Sequence, residues 1–157
     1  RCWRTCGSWR MQKRRTFIHK LGEKRSSMKS LKYWFLVVDL GFITYWLVTA
    51  LHLLPDAYLY NDYTNPILVN WNWSFFPLDI LVSITGLYSV YASRHGGRWQ
   101  VFALISLVLT SVSGLQALSY WTLAGEFDLM WWIPNGLLLV YPLFYIPGIV
   151  QGLKEHH

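Results

Sequence analysis

The sequence predicts an all-α integral membrane protein, a four-helix bundle with both termini in the cytoplasm. Three observations carry this. The apolar residues come in four long blocks, every Lys and Arg beyond position 28 falls at one end of those blocks, and Trp and Tyr gather at the other.

A hydrocarbon core about 30 Å thick takes about 20 apolar residues in a helix, because lipid offers no partner for an unpaired backbone group. The first block covers about 31–54, the second about 73–92, the third about 99–123 and the fourth about 130–150. Each is too continuously apolar to be the surface helix of a soluble domain. Small residues mark where helices can approach. Ser106, Thr110 and Gly114 recur every four residues in the third block, and Ser83 and Gly86 lie near one face of the second with Val90. The short turn from Arg94 to Arg98 makes blocks two and three an antiparallel hairpin. Pro142 and Pro147 are expected to kink the fourth helix or end it early, since proline removes a helical hydrogen bond.

Orientation follows from the positive residues, which stay cytoplasmic. Lys29 and Lys32 precede the first block, Arg94 and Arg98 join the second to the third, and Lys154 follows the fourth. The other two connections hold Asp56 and Asp62, then Glu126 and Asp128, with no Lys or Arg. Tyr58, Tyr60, Tyr63, Trp71 and Trp73 mark the first external connection; Tyr120, Trp121, Trp131 and Trp132 mark the second. Such rings suit the headgroup layer, where an apolar body and a polar N–H or O–H are both accommodated. The first external connection, about 18 residues with Pro55 and Pro66, is the only long one and is expected to be a loop that caps the bundle.

The formal charge of +6 is unevenly placed: residues 1–27 hold nine Lys/Arg and one acid, so the rest of the chain is slightly acidic. Basicity confined to a head, without interleaved aromatics on a folded surface, argues against nucleic-acid binding. That head, residues 1–27, reads as a disordered cytoplasmic segment. A second reading makes it a translated upstream region with Met28 as the true start, because Glu23–Met28 back-translates to a purine-rich ribosome-binding site before a start codon. Two further readings are a polybasic arm on anionic lipid and a twin-arginine signal over Lys13–Lys20. The signal is disfavoured by the charges that intervene before the apolar block. Cys2 and Cys6, with only His19 nearby, fall short of the four ligands a zinc site needs, so no metal and no cofactor is expected.

Two acids fall inside the blocks, where an ionisable group costs about 2.5–3.5 kcal/mol to insert and hints at function. Asp39 lies about 10 Å from the cytoplasmic end of the first block and Asp79 about 9 Å from the external end of the second, at a rise of 1.5 Å per residue. They are too far apart to share a proton. Gln116, Asn135, Tyr45, Thr49 and His52 fall at a depth similar to Asp79. Together these residues read either as an externally open pocket centred on Asp79 or as interhelical hydrogen bonds worth under about 1 kcal/mol each. Asp39 has no evident partner unless Tyr33, Tyr88 or Tyr91 reaches it. No HExxH, Walker loop, GxSxG or nucleophile–His–acid grouping is present, so no catalytic residue is assigned.

From Met28 onward the landmarks resemble the YvaD-like family of small bacterial membrane proteins. The segments that carry the resemblance are Asp39-Leu40-Gly41-Phe42 with Tyr45-Trp46, Asn65-Pro66-Ile67-Leu68-Val69, Trp71-Asn72-Trp73-Ser74-Phe75-Phe76-Pro77-Leu78-Asp79, Ser113-Gly114-Leu115-Gln116-Ala117 and Phe127-Asp128-Leu129-Met130-Trp131-Trp132-Ile133-Pro134-Asn135. The resemblance implies a multi-pass protein of the bacterial inner membrane and a chain that starts at Met28. The family has no established activity, so it transfers no site.

Three readings of function remain open. The first is a non-enzymatic protein, lying in the lipid bilayer, that binds a small lipophilic or cationic ligand or a membrane-protein partner through the outer half of the bundle. The second is a membrane enzyme using Asp79 with His52 or Asp39 for proton transfer on a lipid-like substrate. The third is a subunit of a larger membrane complex or a homo-oligomer, whose intramembrane polar groups would face outward. Convergence of Asp79, Gln116 and Asn135 favours the first two, and divergence favours the third.

Overall fold

The structure, a computed structural model, describes residues 29–55, 64–95 and 97–154. The chain forms two compact units, Arg1–Tyr33 and Trp34–His157. The basic head, with Cys2, Cys6, His19 and Met28, lies outside the described residues, as do Asp56, Tyr58, Tyr60, Asp62 and Tyr63.

Four helices among the described residues are long and apolar enough to cross a membrane: Lys29–Ala50, Pro66–His95, Trp99–Ala124 and Leu129–Lys154. We label the first α1. The second divides at Phe75 into α2 (Pro66–Ser74) and α3 (Phe76–His95), and the last two are α4 and α5. The described residues contain no strand, so the all-α expectation holds for them.

The helices differ from the expected blocks in four places. Helix α1 stops at Ala50 rather than Leu54: His52 adopts a left-handed φ of 48°, and the Leu53 N–H reaches back to the Val48 carbonyl at 3.1 Å. This back-bonded stop satisfies a terminal carbonyl just ahead of Pro55, which cannot continue a helix. The first external connection is not loop up to Trp73, because helix begins at Pro66. Asn65 caps it, its Oδ1 accepting from the Ile67 N–H at 3.0 Å, and Pro66 sits at the first turn where its missing N–H costs nothing. The break at Phe75 follows from Pro77, which has no N–H to donate to the carbonyl four residues back. Finally, α5 runs through Pro134, Pro142 and Pro147 to Lys154, so the prolines do not end it early. Helix α5 is also bonded to its neighbour, the Ser111 hydroxyl of α4 donating to the Leu139 carbonyl at 3.2 Å.

Within residues 34–157 the long helices close into a ring. Helix α1 meets α3 where the Ser83 hydroxyl reaches the Asp39 carbonyl at 3.3 Å. Helix α3 meets α4 where the Ser106 hydroxyl reaches the Val82 carbonyl at 3.3 Å. Helix α4 meets α5 at Gly114, and α5 returns to α1 through Tyr141, whose ring stacks on Trp34 at 4.7 Å. The expected small-residue seam is therefore in use: Ser83, Gly86, Ser106, Thr110 and Gly114 are all buried. Large apolar side chains such as Leu40, Leu47, Leu81, Ile84, Ile105, Val112 and Phe144 face outward instead. Small and hydroxyl residues inside with aliphatic residues outside reverse the soluble pattern and match helices packed in lipid.

Candidate functional site

The interior polar groups form two layers, about 10 Å apart along α3 because Asp79 and Gly86 are seven residues apart. The first layer surrounds Asp79, which is 4% exposed. The indole N–H of Trp46 donates to its Oδ2 at 3.0 Å, and the Ser113 hydroxyl donates to its Oδ1 at 3.1 Å. Both carboxylate oxygens are thus held, one from α1 and one from α4. The sequence marks Trp46 only through the family resemblance, although a tryptophan that is buried needs an acceptor for its N–H.

None of the other residues expected around Asp79 hydrogen-bonds its carboxylate. Tyr45 donates through its hydroxyl to Asn72 Oδ1 of α2 at 3.0 Å. Thr49 is buried and donates to the Tyr45 carbonyl on its own helix at 2.8 Å. Asn135 likewise donates to the Trp131 carbonyl, one turn back on α5, at 2.8 Å. His52 lies beyond the end of α1 and is exposed. Gln116 is exposed on α4, its amide making no hydrogen bond among the described residues.

The second layer surrounds Asp39, which is 0% exposed. Neither carboxylate oxygen has a hydrogen-bond partner among the described residues. Tyr33, Tyr88 and Tyr91 do not supply one: all three are exposed, Tyr88 packing on Phe102 and Tyr91 on His95. What faces the carboxylate is Gly86, where an added Cβ would overlap one carboxylate oxygen and stand 2.9 Å from Cγ. Tyr141 of α5 lies within electrostatic range of Asp39 and close to Thr110, yet its own hydroxyl is buried without a hydrogen-bond partner. The sequence offered no direct signal for Tyr141, which lies in an apolar block among several aromatics.

An aromatic group ties α2 to the Ala124 end of α4. Trp71 stacks on Tyr120 at 4.2 Å and meets Trp121 edge-on at 5.7 Å, while Trp46, Phe75 and Ala117 pack as a buried cluster beneath. No group of three or more His, Cys, Asp or Glu among the described residues is placed to hold a metal ion.

The family described as "Family of unknown function (DUF5360)" matches residues 31–156. The chain belongs to this family. It is 55% identical over 120 residues to a protein of Bacillus subtilis (strain 168) named "Uncharacterized protein YvaD", the match covering 76% of this chain and 90% of that protein. The YvaD-like resemblance read from the landmark segments is therefore correct. No solved structure matches the chain.

Proposed function

We propose that this protein is a four-span inner-membrane protein with both termini in the cytoplasm, and that it works as a subunit of a membrane assembly, pairing with a second copy of itself along α4. The observation that carries the reading is Gln116. Three polar side chains in the second half of α4 are exposed, and two of them satisfy themselves: Ser119 donates to the Leu115 carbonyl and Thr122 to the Leu118 carbonyl, each at 2.7 Å. The Gln116 amide has no such bond among the described residues and stands beside exposed Val112 and Leu115. An unpaired amide facing hydrocarbon is costly, and a carboxamide carries both donor and acceptor, so two copies satisfy each other.

Orientation makes that pairing geometrically simple. Lys29, Lys32, Arg94, Arg98 and Lys154 all favour one side, so every copy inserts the same way and each Gln116 lies at the same depth. A two-fold axis along the membrane normal then brings Gln116 to Gln116. Neither Gln116, Asn135 nor His52 hydrogen-bonds the Asp79 carboxylate, whose oxygens are taken by Trp46 and Ser113, and this favours a subunit over an outer-half ligand pocket.

The test is cross-linking in native membranes after Cys2→Ser and Cys6→Ser. Gln116→Cys is expected to form a disulfide dimer, and Ile84→Cys on α3 is not. Gln116→Leu is expected to weaken self-association about tenfold, the size of one interhelical amide pair. A wild-type chain that remains monomeric in membranes rejects the reading.

A further inference from the structure

The Asp39 layer is independent of the α4 surface and plays no part in the pairing just described. Its carboxylate is fully buried, both oxygens lack hydrogen-bond partners among the described residues, and Gly86 of α3 and Tyr141 of α5 lie near it. An isolated carboxylate in such a medium is costly enough that something must neutralise it. Lys, Arg and His do not do so from the helix interiors, because residues 33–50, 76–93, 99–124 and 129–153 contain none.

The neighbouring hydroxyls narrow the choice. Ser83 commits its proton to the Asp79 carbonyl at 2.8 Å, Thr110 to the Ser106 carbonyl at 2.8 Å, and Ser106 to the Val82 carbonyl at 3.3 Å. With their hydrogens directed at helix carbonyls, these groups have no proton left for Asp39. The Tyr141 oxygen, close to Thr110 and buried without a partner, has lone pairs to offer. A centre that offers oxygen lone pairs and one carboxylate is suited to a hard cation. Charge then selects its valence. One carboxylate neutralises a monovalent ion completely, whereas a divalent ion would leave a net charge in the apolar interior. Gly86 lets α3 come up against the carboxylate, which any side chain there would meet.

We propose that Asp39 is the anionic ligand of an alkali-cation site inside the bundle, with Tyr141 as a second oxygen donor. The carboxylate supplies the charge and the Tyr141 hydroxyl a neutral oxygen.

The experiment is thermal unfolding of the full chain in detergent, in sodium, potassium, lithium or choline chloride at one ionic strength and one pH. At least one alkali chloride is expected to raise the midpoint saturably over choline, by about 3–6 °C at ten times its dissociation constant. Asp39→Asn, which keeps the shape and removes the charge, is expected to abolish the difference. Should Asp39→Asn fail to fold, Tyr141→Phe keeps both the charge and the stack on Trp34 and is expected to move the half-saturating concentration upward about tenfold. Equal midpoints in all four salts for the wild type overturn the site. So does a cation effect that survives unchanged in whichever of the two variants folds.

Discussion

Gly86 of α3 lies directly against the Asp39 carboxylate of α1, with no space for a side chain between them: a Cβ there would overlap one oxygen and stand 3.0 Å from the other. The glycine is not needed for its backbone freedom, because it sits in the middle of a regular helix. It is needed for clearance. Gly86→Ala should therefore lower stability by about 1–3 kcal/mol despite alanine's better helix propensity. If the contact is the cause, the penalty shrinks in an Asp39→Ala background, and a double-mutant cycle by thermal unfolding in detergent measures the difference. Additive penalties would place the cause elsewhere.

A second glycine gives a harsher test. A Cβ on Gly114 would stand 2.6 Å from the Asn135 carbonyl oxygen and 2.7 Å from the Leu139 nitrogen, both backbone atoms of α5. A flexible carboxylate can turn aside, but a helix backbone moves only as a whole. Gly114→Ala should cost about 3 kcal/mol or more, above the loss at Gly86, by separating α4 from α5. Gly41 has nothing within 4 Å of its added Cβ, so Gly41→Ala should be neutral or stabilising by up to about 1 kcal/mol.

The Asp79 layer predicts a coupled pair. Trp46→Phe keeps most of the ring packing but removes the donor to Oδ2, leaving a buried carboxylate oxygen unsatisfied. The expected loss is about 1–3 kcal/mol. Ser113→Ala removes the donor to Oδ1 and should cost a similar amount. Because both donors serve one carboxylate, Asp79→Leu should make the two substitutions far less costly. Thermal midpoints of the single and combined variants decide this, and undiminished penalties in the Asp79→Leu chain would contradict it.

The fold was legible because four blocks of about 20 apolar residues, each long enough to cross a bilayer, are visible in composition alone. Its boundaries were less so, and for local reasons. The helix start at Asn65-Pro66 is a short-range capping signal masked by the polar and proline-rich loop around it. The continuation of α5 past Pro142 and Pro147 is not visible in the segment itself, where each proline reads as a break. At the site, depth was readable but azimuth was not. Asp79, Gln116 and Asn135 share a level, yet side chains at one level point in different directions round their helices. Gln116 therefore turned outward while Ser113, three residues earlier, turned in to Asp79. The separation of the two acids was legible, since it depends on depth alone.

Orientation is the remaining prediction, and it has a direct chemical readout. With Cys2 and Cys6 replaced by Ser, single cysteines at Glu126→Cys and Gln151→Cys should label from opposite faces of the membrane. Both positions are exposed, one beyond the end of α4 and the other near the end of α5. An impermeant maleimide added to intact cells should modify Glu126→Cys and leave Gln151→Cys untouched until the membrane is opened. The physical cause is testable in the same assay. If Arg94 and Arg98 hold the hairpin between α3 and α4 inside, Arg94→Asn with Arg98→Asn should increase outside labelling of Gln151→Cys, because only Lys29, Lys32 and Lys154 then bias the described chain. Labelling of Gln151→Cys from outside in the chain that keeps both arginines would reverse the topology. It would also move the Trp71–Tyr120 aromatic group to the cytoplasmic face.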